Sequence, residues 1–206
     1  MTPRPIPKGA SAGPNVLRRI RAWVWAVLLL TLTAGLTLTA QVARAQVPEP
    51  SDYRMDRFRA PVPATLQGAT VLTTAQAKAL IAREEVVLID VLPRPPKPKG
   101  LKEGTIWRPP PRYNIAGTVW LANTGFGALS PEAEAYFKGN LERLTQGDRS
   151  RPVLIYCLAD CWMSWNAAKR AVSYGYSQVY WYPEGTDGWA FEGLPLERSE
   201  PLPMPE

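Results

Sequence analysis

The sequence predicts an α/β domain with a mainly parallel central sheet flanked by helices. Three observations carry this expectation. Continuous apolar runs occur at 86–90 and 152–157; helical signals lie between and beyond them; and the two kinds of segment alternate along the chain. A run that is apolar at every position suits a strand buried on both faces, as in a parallel sheet.

The elements follow in order. In "TTAQAKALIAR", beginning at Thr73, Thr73 and Gln76 stand at capping-box spacing, and Ala77, Leu80 and Ile81 share one helical face. "VVLID" (86–90) is the first buried strand. Residues 93–113 hold seven prolines, six Arg/Lys and one acid. Proline lacks the N–H that helices and central strands use, so an extended, polyproline-like excursion is expected here. "GTVWLA" (117–122) is a further strand. Ser130-Pro131 gives a cap followed by an N1 proline, for a helix running to about Leu144. "PVLIYC" (152–157) is the second buried strand. "WMSWNAAKRAVSYG" (162–175) is a helix ended by Gly175, and "QVYWY" (178–182) a last strand. "PEGTDGW" (183–189) reads as a Gly-rich turn in which Asp187 serves turn chemistry.

Outside this core the chain changes character. Residues 1–22 carry five basic residues and no acid, and an apolar run spans Trp23–Ala40 before the small-x-small triplet Ala43-Arg44-Ala45. These are the parts of a secretory signal over 1–45, which places the remainder in the periplasm. An uncleaved membrane anchor is the alternative, since 18 apolar-rich residues approach a span. Residues 46–64 read as a flexible tether and 199–206 as a Pro-rich tail. Six of the 24 basic residues and none of the 18 acids lie in 1–45, so the remainder holds 18 of each. Its net charge is zero, and the excess positive charge argues for no nucleic-acid partner. Any membrane contact is expected only through the N-terminus. The chain has no histidine and only two cysteines. That excludes His-ligated haem, Ser-His-Asp and Cys-His catalysis, and zinc sites built on His or on four cysteines.

Several short segments together resemble the rhodanese-like domain over 65–198. They are "LIDV" (88–91), "NIAGTV" (114–119), "VLIYC" (153–157), "AAKRAVSYGYSQVY" (167–180), "EGTDGW" (184–189) and "GLPL" (193–196). The resemblance implies a three-layer fold with Cys157 at the active-site position. "CLADCW" (157–162) with "WYPEGTDGW" (181–189) is also similar to a group of exported proteins with a Cys-x-x-x-Cys-Trp motif. That similarity implies alcohol catabolism by quinoprotein (PQQ-dependent) dehydrogenases, with such a dehydrogenase or a redox protein as partner. Sulfurtransferases of this fold close the cysteine loop with arginine at the helix start. Here no basic residue follows Cys157 until Lys169, and Asp160 adds a negative charge. This departure argues against ordinary thiosulfate sulfurtransfer.

The candidate catalytic residues are Cys157 and Cys161. A strand end running into a helix N-terminus brings unpaired N–H groups and the positive end of the dipole, both of which favour a thiolate. The pair can be a dithiol/disulfide couple, a Cys157 persulfide resolved by Cys161, or a structural staple. Arg94, Arg108 and Arg112, with Lys97 and Lys99, are candidates to replace the missing cations or bind an acidic partner. The bland version is a solvated flap. Trp162 is the aromatic expected to cover the sulfurs or stack on a ligand, PQQ being one planar polyanion that would suit Trp and Arg. Asp90 is expected to cap a neighbouring loop. Three functions remain open: thiol redox or sulfur handling, a non-catalytic binding module, and an atypical sulfurtransferase.

Overall fold

A computed structural model describes residues 47–83 and 85–204, which fall in one unit, Gln46–Glu206. The expected signal segment (1–45) and its cleavage site lie outside the described residues. No helix among the described residues is long and apolar enough to cross a membrane.

Among the described residues, seven strands and four helices follow one another: β1 (Ala69–Val71), α1 (Thr74–Arg83), β2 (Val87–Asp90), β3 (Arg112–Asn114), β4 (Val119–Trp120), α2 (Pro131–Leu144), β5 (Val153–Tyr156), α3 (Trp162–Ser173), β6 (Val179–Tyr182), α4 (Gly185–Phe191) and β7 (Glu197–Ser199). The main sheet has five strands in the order β1-β6-β5-β2-β4, every pair parallel. This is the mainly parallel sheet expected. β2 and β5, the two continuous apolar runs, are its neighbouring inner strands and are buried at every position. Strand alternation divides their side chains between two cores. Leu88, Leu154, Tyr156 and Tyr182 meet Ala77, Leu80 and Trp189 of α1 and α4. Ile89, Ile155, Cys157 and Trp181 meet Phe137 and Leu141 of α2 and Trp165, Ala168 and Ala171 of α3. Three layers result.

The local signals act as their chemistry dictates. The Thr73 N–H donates to Gln76 Oε1 at 2.9 Å, and the Gln76 N–H to Thr73 Oγ1 at 3.4 Å, a reciprocal capping box at α1. Ser130 Oγ accepts from the Ala133 N–H at 3.3 Å ahead of Pro131 at the start of α2. Gly175, at φ 88°, takes the left-handed position beyond α3.

Three segments differ from expectation. Residues 185–191 are helix, because Trp189 is buried and its indole N–H donates to the Pro195 carbonyl at 3.0 Å, anchoring the turn against the sheet. β7, antiparallel to β3, runs into the expected tail (199–206) at Ser199, and the Leu202 N–H then donates to the Trp120 carbonyl at 2.9 Å. β1, at the sheet edge, is too short and mixed in pattern to show in the sequence.

Burial pushes the Tyr136 and Tyr182 phenols up to about 12, and raises Tyr156 through burial and the nearby Asp90 carboxylate. In the unfolded chain these phenols ionise near 10. The unfolded state therefore loses protons first, so stability is intact below pH 10 and falls as pH rises toward 12. Urea midpoints at about pH 9 and about pH 11 should differ, the second being lower, and Tyr182→Phe should shrink the difference.

Candidate functional site

β5 ends at Tyr156, and Cys157 leaves the carboxyl edge of the sheet. Cys161 is the N-cap of α3, in extended conformation at φ −115°, after Asp160 turns the chain at φ 49°. The two cysteines are joined as a disulfide, with Cα atoms 6.3 Å apart. Both lie within the α2/α3-side core, 0 % and 1 % exposed. The loop is held from below. The Cys157 carbonyl accepts from the Thr186 N–H at 3.1 Å and from Arg112 Nη2 at 3.2 Å, and the Ala159 N–H donates to Asp187 Oδ2 at 3.1 Å. Gly185, at φ 52°, presses on the Cys157 carbonyl so closely that a Cβ would collide with it. Gly185→Ala combines that collision with left-handed backbone strain. It is expected to cost about 1–3 kcal/mol, read as a lower thermal midpoint.

The loop is also covered from above. Residues 47–64, expected as a tether, run across it as a strap. Arg59 bridges Cys161 in antiparallel fashion. The Trp162 N–H donates to the Phe58 carbonyl at 2.9 Å, and the Ala60 N–H to the Asp160 carbonyl at 3.1 Å. The Trp162 indole N–H donates to the Pro61 carbonyl at 3.1 Å, while the Arg54 guanidinium lies 5.1 Å from its ring centroid. Buried Asn166 of α3 accepts from the Arg54 N–H at 2.8 Å and donates to the Arg54 carbonyl at 2.9 Å. Trp162 thus packs under the strap and edge-on to Trp165. The first N–H of α3 goes to a strap carbonyl instead of facing an anionic sulfur.

A buried ion pair ties this loop to the rest of the sheet. Arg112 Nε donates to Asp90 Oδ2 at 2.8 Å, with the two side chains 8 % and 0 % exposed. Arg112 Nη1 donates to Thr186 Oγ1 at 3.0 Å, and its Nη2 reaches the Cys157 carbonyl. One guanidinium therefore connects the ends of β2 and β5 and the start of α4. Asp90 Oδ1 accepts from the Leu92 N–H at 2.9 Å, the loop cap expected of it. Arg112 also lines a cavity of about 200 Å³ with Arg94, Arg108, Trp120 and Arg198. The structure thus brings Arg94, Arg108 and Arg112 together, and Cys157, Cys161 and Trp162 together at a second place. Lys97 and Lys99 are exposed and stand outside the cavity.

No family model matches the sequence. Over 132 residues the chain is 30% identical to the uncharacterized protein YibN of Escherichia coli strain K12, a match covering 63% of this chain and 73% of YibN. The chain belongs to the YibN family. YibN of Escherichia coli O6:H1 matches to the same extent. Among solved structures, a thiosulfate sulfurtransferase from Pseudomonas aeruginosa is similar at TM-score 0.43 and 18% identity, over 65% of this chain and 21% of that one. A polysulfide-sulfur transferase homodimer from Wolinella succinogenes is similar at TM-score 0.40 and 20% identity, over 65% of this chain and 82% of that one.

In this YibN-family chain the residues that sequence reasoning missed are those that hold the loop. Asn166 is a polar residue on an otherwise apolar turn of α3, and that misfit was its only signal. Asp187 stands four residues after Pro183 in what reads as a turn, with nothing to indicate that its carboxylate would reach Ala159. Arg198 and Glu200 reach the cavity only because β7 pairs with β3.

Proposed function

We propose that this protein is an exported rhodanese-like accessory protein whose Cys157–Cys161 pair is a thiol-disulfide couple. One observation carries the reading. The two cysteines are joined across the β5–α3 loop, at the carboxyl edge of a parallel sheet, where α/β folds place their ligand sites. Stability alone is a thin reason for such a bond, because closing a five-residue loop contributes only about 2 kcal/mol in the chain-entropy model. In the step proposed, a thiolate of a partner dithiol attacks one sulfur and the intramolecular S–S bond breaks, giving a mixed disulfide and one free thiol. The partner's second thiol then displaces the first bond. The partner leaves oxidised, and Cys157 and Cys161 carry away two electrons and two protons. The Cys-x-x-x-Cys-Trp similarity supports a periplasmic setting and service to a quinoprotein (PQQ-dependent) dehydrogenase or its redox partner.

The burial of both sulfurs favours a second reading, a binding module in which the bond is a staple. Dithiothreitol titration of the folded chain, with thiol trapping and mass spectrometry, separates the two. A couple with a moderate potential, reduced without loss of the fold, supports the redox reading. A bond that opens only when the domain unfolds rejects it in favour of the staple. The same spectra, taken after incubation with sulfur donors, report whether Cys157 gains a persulfide. No adduct excludes the atypical sulfurtransferase.

A further inference from the structure

The cavity around Arg112 has the makings of a ligand site distinct from the sulfurs. Its lining includes Arg94, Arg108, Arg112, Arg198 and Glu200, with Trp120 among its apolar walls. The arginines are not equivalent. Among the described residues, no carboxylate lies within ion-pair distance of the Arg94 or Arg108 guanidinium. Arg198 is held at 3.4 Å by Glu200, and Arg112 at 2.8 Å by Asp90. Four guanidiniums are thus set against two carboxylates, leaving two positive charges uncompensated.

Arg112 has capacity left. A guanidinium carries five N–H donors, and three of its nitrogen-to-oxygen bonds are already made, to Asp90, Thr186 and Cys157. The Trp120 indole N–H donates to the Leu92 carbonyl at 2.6 Å, so its contribution to the cavity is a ring surface and not a donor. Pro109, Pro110 and Pro111 form a wall of restricted backbone, which lowers the ordering cost of binding. At about 200 Å³ the space is below the range that encloses a drug-sized ligand.

We propose that this cavity binds a small tetrahedral oxyanion carrying two negative charges, with Arg94 and Arg108 as its principal partners and Arg112 as the buried third. The proposal holds whether or not the disulfide is redox-active. Arg112 makes the site adjacent to the cysteine loop in bonding terms, since the same guanidinium that lines the cavity holds the Cys157 carbonyl.

The test uses the full chain, titrated separately with sulfate, thiosulfate and hydrogen phosphate against chloride at matched ionic strength. Calorimetry reads affinity, and the Trp120 indole N–H resonance reports occupancy of the cavity. A saturable response to at least one dianion, absent with chloride, is expected, and the tightest of the three identifies whether a sulfur oxyanion or a phosphate is the natural class. Charge-assisted hydrogen bonds of this kind imply that Arg94→Gln/Arg108→Gln weakens binding at least about tenfold. Both side chains are exposed, so circular dichroism should be unchanged. Glu200→Gln, which frees Arg198, should tighten binding. No saturable response to any dianion, an equal response to chloride, or unchanged affinity in the double variant would overturn the assignment.

Discussion

Arg112→Met is expected to cost the domain about 3–5 kcal/mol, because it leaves the Asp90 carboxylate buried with no counter-charge. Asp90 is 0 % exposed, and Arg112 supplies its ion-pair contact at 2.8 Å. That loss falls on a total stability of about 5–15 kcal/mol, so it removes a large share of it. The same change removes the donors to Thr186 and to the Cys157 carbonyl, so the loss reaches β2, α4 and the cysteine loop together. The urea midpoint should fall sharply, with little change in slope. Removing the charge as well, in Arg112→Met/Asp90→Asn, should recover a substantial part of the loss. If the double variant is no more stable than the single one, the pair does not act through charge.

Loosening the strap is expected to speed reduction of the disulfide by about 30- to 150-fold. Both cysteines are buried, and the chain at 58–61 bonds directly to the loop that carries them. A reductant must therefore wait for that segment to open, and the observed rate scales with the population of the open form. Asn166→Ala removes two bonds to Arg54, and Ala60→Pro removes the N–H that donates to the Asp160 carbonyl. Three partly buried bonds of this kind together shift the opening equilibrium by about 2–3 kcal/mol, which sets the factor expected. Stopped-flow reduction by dithiothreitol, under conditions where circular dichroism shows both proteins folded, checks it. Equal rates in the wild type and the double variant would mean that the sulfurs are reached by another route.

The strap changes how the cysteine motif should be understood. An open strand-to-helix loop would direct the helix N-terminus at the sulfurs and favour a thiolate. In this fold the Trp162 N–H is taken by Phe58, and Asp187 sets a carboxylate against the Ala159 N–H. Asp187 also lies 3.9 Å from Arg59, so strap, loop and α4 meet at one exposed ion pair. Such a pair contributes little to stability in solvent. Backbone hydrogen bonds and the packing of Trp162 carry most of the attachment.

The elements whose signals are local are legible in the sequence. The capping box at Thr73, the Ser130-Pro131 start, the Gly175 stop and the two apolar strands each depend on residues a few positions apart. Each appears where its chemistry requires. Tertiary structure alone decided what the functional residues face. Arg112 reads in sequence as one more cation of a basic loop. Its partners lie 22, 45 and 74 positions away, and they turn it into the buried tie of the sheet. Residues 54–62 read as polar and proline-bearing, and only contacts 101 and 112 positions distant, with their neighbours at Phe58 and Ala60, reveal that they close over the cysteine loop. Burial and charge pairing are properties of neighbours in space, and a linear pattern records only neighbours along the chain.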